Sequence, residues 1–283
     1  MVVLRTVREM QRDADRLRLA GKKLGLVPTM GYLHDGHLRL IEQARKLCEV
    51  VIVSIFVNPT QFGPGEDFER YPRDFKRDQD LALKSGADVI FSPEVNEVYS
   101  SNFGTYVEEQ DVSHILEGKI RPEHFRGVAT IVAKLFNVCK PHVAVFGQKD
   151  AQQAFIIKKM VRDLSFDVSI VVAPIVRETD GLALSSRNVY LSKEERSNAT
   201  VLHESLQYAE RKISEGERNI AKLESEMRTM IFAKGAPSVD YIAFVDPEVF
   251  QETSTLTLRS VLVLLAARFG KTRLIDNALI PIV

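Results

Sequence analysis

The chain has 283 residues, of which 45% are hydrophobic and 27% are charged, so it can form a large core and is unlike a disordered protein. Its 38 basic and 38 acidic residues cancel, and no polybasic run stands out, which disfavours nucleic acid as the main partner. The charged N-terminus lacks the apolar core of a signal peptide, and no apolar run reaches the roughly 18 residues of a membrane span. We therefore expect a soluble, cytoplasmic protein without a membrane partner.

The two cysteines do not indicate a disulfide framework or a metal site. Cys48 and Cys139 lie in separate apolar contexts, whereas a zinc site needs more ligands at tighter spacing. We expect both to be buried free thiols in a reducing compartment.

Strands and helices alternate from Leu24 onward. The short apolar run "LGLVPT" predicts a buried strand, and "GHLRLIEQARKLCE" carries apolar residues at the three- and four-residue steps of an amphipathic helix. The β-branched run "VVIVSIFVNP" predicts a second buried strand that ends at Asn-Pro. A strand, a helix and a strand in this order indicate the βαβ unit of a parallel sheet.

The alternation continues to about residue 186. Helices are predicted in "FERYPRDFKRDQDLALKSG", "FRGVATIVAKLFNVCK" and "KDAQQAFIIKKMVRDLS", and strands in "ADVIFSP", "PHVAVFGQ" and "DVSIVVAPIV". This pattern predicts an α/β fold with a Rossmann-like, doubly wound parallel sheet.

The pattern changes after this point. Ser192 and Glu195 have the spacing of a capping box at the start of a helical run, a second helical run follows, and strand-like segments come last. We expect a second, smaller α+β C-terminal domain, with the boundary between residues 185 and 186.

The loop "MGYLHDG" between the first strand and its helix is a candidate ligand site. Ligands of open α/β sheets bind beyond the carboxyl ends of the strands. His37 falls in the first helical turn, where free N–H groups favour an anion, while Gly31 and Gly36 remove side-chain bulk. His34 and His37 together could donate hydrogen bonds to a nucleotide phosphate. The alternatives are solvated loop histidines or a zinc pair, although no third zinc ligand is obvious.

Several motifs carry a family resemblance. "HDGH" resembles the H-x-G-H signature of the nucleotidyltransferase superfamily, which includes class I aminoacyl-tRNA synthetases, and "LALSSRN" resembles its second, triphosphate-binding motif. More specifically, the chain resembles the pantothenate synthetase (pantoate–β-alanine ligase) family. The motifs that carry this resemblance, in order, are "VPTMGYLHDGH", "VNPTQF", "YPRD", "HFRGV", "VFGQKDAQQ" and "VRETDGLALSSRN".

The resemblance implies an ATP-dependent condensation of (R)-pantoate with β-alanine to pantothenate. Pantoyl adenylate would be the intermediate, and AMP and pyrophosphate would be released. Mg²⁺ would accompany ATP and neutralise phosphate charge. Residues 1–185 would bind ATP and pantoate, residues 186–283 would act as a lid, and the protein would be a homodimer.

The resemblance also assigns residues to ATP. The expected ATP-binding residues are Met30, Gly31, Tyr32, Leu33, His34, Asp35, Gly36, His37, Gly147, Gln148, Lys149, Asp150, Val176, Leu184, Ser185, Ser186 and Arg187. Those expected to take part in catalysis are His34, His37, Lys149, Ser185, Ser186 and Arg187. His37 matches the family's proton donor, but a pyrophosphate leaving group hardly needs a proton, so we interpret this histidine as a charge stabiliser.

Pantoate is assigned to amide side chains. Asn58, Gln61 and Gln153 are the expected pantoate contacts, and Gln61 is also expected near β-alanine. Arg121 and His124 are further candidates near the phosphates or β-alanine, with an exposed loop as the alternative.

The protein ligands of magnesium remain open. Asp78 or Asp80 could help to place the ion, but a solvated helix face is the favoured interpretation of both.

Other functions remain open on sequence grounds. Another nucleotidyltransferase would share H-x-G-H but would lack "VNPTQF" and the paired glutamines. A tRNA synthetase would need a basic extension, which this neutral chain lacks. A non-catalytic nucleotide sensor is disfavoured because the histidines, Lys149 and the Ser-Ser-Arg run occur together.

Overall fold

A computed structural model describes residues 1–257 and 259–282 of the chain. The chain forms two compact units: the first contains Met1–Gln148 and Gln152–Pro174, and the second contains Lys149–Ala151 and Ile175–Val283. Leu258 and Val283, which belong to the predicted second domain, lie outside the described residues. The division into a substrate-binding domain and a lid at residues 185 and 186 stays a prediction.

The first unit is built on a six-stranded sheet. Its strands are β1 (Val2–Leu4), β2 (Leu24–Thr29), β3 (Val50–Ile55), β4 (Val89–Phe91), β5 (Val143–Gly147) and β6 (Ser169–Ala173). They run in the order β1-β4-β3-β2-β5-β6, and all the pairings are parallel. This confirms the predicted Rossmann-like sheet.

Helices cover both faces of this sheet. They are α1 (Val7–Leu19), α2 (Asp35–Leu47), α3 (Phe75–Lys84), α4 (Val95–Val98), α5 (Glu117–Ile120), α6 (His124–Cys139) and α7 (Ala151–Asp163). Along β2, Leu26 packs in the same core cluster as Phe136 of α6, whereas Val27 packs with Ile41 of α2. Successive side chains of a strand point to opposite faces, so burial on both sides explains the continuous apolar run.

Two parts of the first unit differ from the predictions. The predicted helix over "FERYPRDFKRDQDLALKSG" begins only at Phe75, because Asp74 caps it and Pro72 disfavours a helical residue before it. β1 and α1 were not predicted. α1 is rich in charge and fully buries only Met10 and Ala14, so its apolar pattern is weak.

The second unit combines helices with an antiparallel sheet. Its elements are α8 (Lys193–Asn198), α9 (Val201–Ser214), α10 (Ile220–Ala233), β7 (Ser238–Val245), β8 (Ser260–Phe269) and β9 (Thr272–Pro281). The strands pair in sequence order, and Ser192 and Glu195 form the predicted capping box. The expected smaller α+β domain is confirmed.

Two expectations from composition can be compared with this architecture. Both cysteines are buried free thiols, as predicted. Among the described residues, no helix combines the length and apolar character required to cross a membrane.

Candidate active site

The loop that carries the two histidines turns sharply after β2. The hydroxyl of Thr29 donates to the carbonyl of Ser54 at 2.8 Å and accepts from the N–H of Gly31 at 3.1 Å. Gly31 (φ +84°) and Tyr32 (φ +50°) are both left-handed. A Cβ at Gly31 would lie 2.9 Å from a carboxylate oxygen of Asp78, so glycine is required by space as well as by conformation.

The two histidines cap the helix that follows the loop. His34 is the N-cap of α2, and its Nδ1 accepts from the backbone N–H of Gly36 at 3.2 Å. His37, in the first turn, has an Nδ1 that accepts in return from the N–H of His34 at 3.4 Å. The imidazole centroids are 4.1 Å apart. This arrangement is a capping box in which imidazoles replace the usual hydroxyl and carboxylate.

The cap determines which nitrogen of each neutral imidazole carries the proton. Because both Nδ1 atoms accept backbone hydrogen bonds, the proton of each neutral ring is on Nε2. The loop therefore supplies two Nε2–H donors at the positive end of a helix of 13 residues, beyond the carboxyl end of a central strand. This combination suits an anionic ligand.

Residues of α3 hold the same loop from the other side. The carboxylate of Asp78 accepts from the N–H groups of Tyr32 and Leu33, both at 2.7 Å, and the residue is only 1% exposed. Burial raises the pKa of Asp78 in opposition to these two hydrogen bonds. The expected solvated face is therefore wrong for Asp78, although Asp80 is exposed. The sequence could not reveal this role, because it depends on a contact between distant segments.

Two of the predicted pantoate amides, Asn58 and Gln61, belong to a hydrogen-bond network after β3. Asn58 is 1% exposed and donates its side-chain N–H groups to Oε1 of Gln61 and to the carbonyl of Gly127, at 3.1 and 3.0 Å. Its Oδ1 accepts from the hydroxyls of Thr60 and Tyr99. Both ends of the Asn58 amide are thus used within the protein, and this fixes the orientation of the Gln61 side chain. Gln61 in turn directs its Nε2 towards the sulfur of Met30, at 3.0 Å.

His124 and Arg121 support the same segment. Nε2 of His124 accepts from Arg121 at 3.2 Å, so Nδ1 carries the proton and donates to the carbonyl of Gln61 at 2.8 Å. Burial, reinforced by the charge of Arg121, lowers the pKa of His124 to about 4. Arg121 pairs with both carboxylate oxygens of Glu66, at 2.8 and 2.7 Å. The alternative of an exposed loop is wrong for both residues.

Gly127 explains another part of the "HFRGV" motif. A Cβ at this position would lie 2.3 Å from the carbonyl oxygen of Thr60. Glycine therefore lets α6 approach the short 3₁₀ helix Pro59–Gln61 closely enough for the Asn58 and His124 contacts.

The segment 147–150 begins at the last residue of β5 and runs from the first unit into the second. β5 pairs in parallel with β2, so Gly147 and Gln148 lie at the same edge of the sheet as the histidine loop. Lys149 belongs to the second unit, where its ammonium lies 3.8 Å from the carboxylate of Asp150. The carbonyl of Lys149 accepts from the side chain of Asn277 at 2.9 Å.

A short hairpin in the second unit precedes the Ser-Ser-Arg run. The N–H of Leu184 donates to the carbonyl of Val176 at 3.0 Å, and Arg177 bridges Ala183. The guanidinium of Arg177 forms a double hydrogen bond with the buried carboxylate of Asp276 in β9, at 2.6 and 2.9 Å. This ion pair fixes the base of the hairpin.

The predicted triphosphate motif begins a 3₁₀ helix over Ser186–Tyr190. Ser185 is its N-cap, and its hydroxyl accepts from the N–H of Arg187 at 3.2 Å. Ser186 is buried, whereas Ser185 and Arg187 are partly exposed. The structure thus groups Lys149, Asp150, Val176 and the run from Leu184 to Arg187 in the second unit.

The two glutamines of α7 differ in environment. Gln153 is partly exposed in the first turns of the helix. Gln152 is buried and bonds to the backbone of Val112, Ile115 and Glu117. Gln61 and the histidine loop lie in the same unit as both of them.

Comparisons with known proteins agree with these features. A family model described as pantoate–β-alanine ligase matches residues 2–279. A relative from Chloroherpeton thalassium named pantothenate synthetase is 54% identical over 284 residues, covering 100% of both chains. A relative of the same name from Thermotoga petrophila is 51% identical over 280 residues, covering 99% of this chain and 100% of the relative.

Solved structures give the same result. The pantothenate synthetase of Thermus thermophilus superposes with a TM-score of 0.92 at 44% identity, covering 98% of this chain and 99% of the other. The pantoate–β-alanine ligase of Francisella tularensis, solved with β-γ ATP and β-alanine, gives a TM-score of 0.83 at 35% identity. The match covers 99% of this chain and 97% of the other.

The fold, the motif-bearing loops and the similar proteins define the class of this protein as an enzyme of the ligase type. The chain belongs to the pantoate–β-alanine ligase family, as its six sequence motifs had indicated.

Proposed function

We propose that the protein activates the carboxylate of (R)-pantoate with ATP and transfers the acyl group to β-alanine. The observation that carries this proposal is the paired imidazole cap of α2, which lies in the loop after β2 and keeps the proton of each neutral ring on Nε2. The names of the similar proteins supply the acid and the amine.

The first step is adenylation. A carboxylate oxygen of pantoate attacks the α-phosphorus of ATP, the bond to the bridging oxygen of the β-phosphate breaks, and pyrophosphate leaves. The imidazoles of His34 and His37 stabilise the charge that builds up on the phosphate oxygens. This step converts a poor acyl electrophile into one with a good leaving group.

The second step forms the amide. The amine of β-alanine attacks the acyl carbon of pantoyl adenylate, the bond to the AMP oxygen breaks, and the amine loses a proton to solvent. AMP leaves as the phosphate anion, and pantothenate is the product.

We assign the remaining predicted residues from their geometry and the family motifs. Lys149 and Arg187 supply positive charge for the phosphates, and Ser185 and Ser186 supply hydroxyl and backbone donors. Gln61 and Gln153 bind pantoate without the desolvation cost of a charge. Asn58 acts through Gln61, since its own amide is already bonded within the protein.

Arg121 and His124 take a supporting role in this proposal. Both bond to the carbonyl of Gln61, and the Arg121 guanidinium is paired with Glu66. They therefore hold the backbone of the pantoate segment rather than a phosphate.

Magnesium is proposed as a companion of ATP. Within the described residues, no three His, Cys, Asp or Glu side chains are grouped to hold a metal. In sites that use ATP, Mg²⁺ is bound mainly by phosphates and water, and its chemistry is to neutralise phosphate charge. The homodimer, the cytoplasmic location and the lid role of residues 186–283 also stay predictions.

Pyrophosphate release tests the proposal directly. The protein is mixed with ATP, Mg²⁺ and (R)-pantoate, first without and then with β-alanine. We expect a burst of one pyrophosphate per active site without β-alanine, and steady turnover with it. A matched reaction without pantoate should release none. Absence of pantoate-dependent pyrophosphate in both mixtures would contradict the proposal.

A further inference from the structure

Asp78 holds the backbone of the histidine loop with both carboxylate oxygens. Oδ2 accepts from the N–H of Tyr32 and Oδ1 from the N–H of Leu33, each at 2.7 Å. These distances are at the short end of the range for hydrogen bonds to an ionised group. The two N–H groups immediately precede His34, the N-cap of α2.

The loop needs such a support because its backbone is strained. Two successive residues, Gly31 and Tyr32, have positive φ angles, and Tyr32 lacks the freedom of glycine. A left-handed residue other than glycine is strained and persists only where its surroundings hold it. Since Asp78 bonds to Tyr32 itself, its carboxylate compensates this strain at the place where it arises.

Arg77 holds the same segment at two places, the carbonyl of Leu33 and the ring of Tyr32. Its guanidinium donates to the carbonyl of Leu33 at 2.8 Å and lies 5.2 Å from the centre of the Tyr32 ring. It also lies 3.8 Å from the Asp78 carboxylate. Two adjacent residues of α3 therefore hold two backbone donors and one backbone acceptor of the loop.

We propose that Asp78 is a positioning residue for adenylation: its buried carboxylate fixes the loop backbone so that the His34 and His37 donors meet the phosphates. The inference rests on the proposed function. Asp78 does not touch the reacting atoms in this role, and it acts through the two imidazoles. A displacement of an ångström at such donors can lower a rate about a hundredfold.

Asp78→Asn is the primary test variant. An amide has one oxygen and one NH₂ group, so one of the two loop N–H groups would face a donor. We expect kcat/KM for ATP in pantoate-dependent pyrophosphate release to fall at least about tenfold, which corresponds to one charge-assisted hydrogen bond. Asp80→Asn, an exposed change in the same helix, is the matched control and should leave the rate unchanged.

A double-variant cycle separates positioning from general destabilisation. If Asp78 acts through the two imidazoles, Asp78→Asn should have a smaller effect in a His37→Ala protein, in which one of them is absent. If its role is only structural, the two losses should multiply. Multiplying losses in variants that remain folded, as judged by thermal melting, would overturn the inference.

Two further measurements keep the test decisive. Arg77→Met removes the bond to Leu33 at a half-exposed side chain, so it tests the same support if Asp78→Asn fails to fold. It should give a smaller loss that is also non-additive with His37→Ala.

The Mg²⁺ dependence of Asp78→Asn is the second measurement. A selective rise in the Mg²⁺ concentration needed for half-maximal rate, with kcat/KM for ATP unchanged at saturating Mg²⁺, would contradict the positioning role.

Failure of this inference can be told apart from failure of the proposed function. If the unmodified protein releases no pantoate-dependent pyrophosphate, the proposed function fails. If the unmodified protein is active and Asp78→Asn equals Asp80→Asn, only the positioning role fails.

Discussion

His37 combines a structural and a chemical role in one ring. Its Nδ1 accepts from the N–H of His34, which places the proton of the neutral ring on Nε2. We expect His37→Ala to lower kcat/KM for adenylation by at least about a hundredfold, or about 2.7 kcal/mol, as for the loss of an oxyanion donor. The loss of the cap should cost only about 1 kcal/mol of folding free energy. Pyrophosphate release and urea unfolding would measure the two effects.

His37→Gln is the control that separates the two roles. Glutamine at the third helical position can reach back to the N-cap N–H, so the free energy of unfolding should recover. Glutamine also has an NH₂ donor, but its flexible chain does not hold this group as the planar imidazole holds Nε2–H, so activity should stay below that of the unmodified protein. Full activity in His37→Gln would contradict the role of the imidazole.

The residues whose roles could be predicted from sequence are those that act through local geometry. The placement of His37 in the first turn of α2 and the Ser192 capping box depend on groups within a few residues of chain. Asp78 and His124 act across 45 and 63 residues of chain, on Leu33 and Gln61. No local pattern encodes such contacts, and a buried carboxylate on a charged helix resembles a solvated one in sequence.

At the scale of elements, the same contrast holds. β2 and β3 are continuous apolar runs because both faces of the sheet are covered, and their sequences predicted them with little error. α1 was missed because a helix at the edge of a core shows few apolar residues. α3 begins at Phe75 because Asp74 caps the helix and Pro72 disfavours a helical conformation before it, although the sequence pattern before Phe75 is helical.

β9 fixes two segments of the candidate site within the second unit. Asp276 holds Arg177 at the base of the 176–184 hairpin, and its neighbour Asn277 holds the carbonyl of Lys149. The carboxylate of Asp276 is almost fully buried, and Arg177 is largely so. One strand thus links the lysine to the hairpin that leads into the Ser-Ser-Arg run.

We expect Asp276→Asn to destabilise the protein by on the order of 3 kcal/mol, because it leaves the Arg177 charge buried and unpaired. The double variant Arg177→Met/Asp276→Leu should recover most of this loss, since it removes both charges together. Urea unfolding followed by circular dichroism would measure both. Equal instability of the single and double variants would show that the fold requires the charges themselves.

At the scale of the whole molecule, charge is balanced, so the pH dependence of stability depends on individual buried groups. Burial lowers the pKa of His124 to about 4, and it also lowers the pKa values of His142 and His203. Arg121, Glu66 and Glu117 are the charged groups that act on His124. Arg121 lowers the pKa of His124 and the two carboxylates raise it, so burial is the dominant cause of the low value.

The direction of the pH effect follows from the protons bound. In the unfolded chain His124 binds a proton below its ordinary pKa of about 6.5, whereas the folded protein excludes that proton until about pH 4. The free energy of unfolding should therefore fall as pH drops through 6.5, by about 2 kcal/mol from His124 alone between pH 7.5 and pH 5. His124→Asn keeps an N–H donor for the Gln61 carbonyl and cannot titrate, so its stability should fall less over this range. Urea unfolding of both proteins at the two pH values measures how much more stability the unmodified protein loses. The contributions of His142 and His203 are common to both proteins and cancel in this comparison. Parallel losses in the two proteins would show that His124 titrates normally in the folded state.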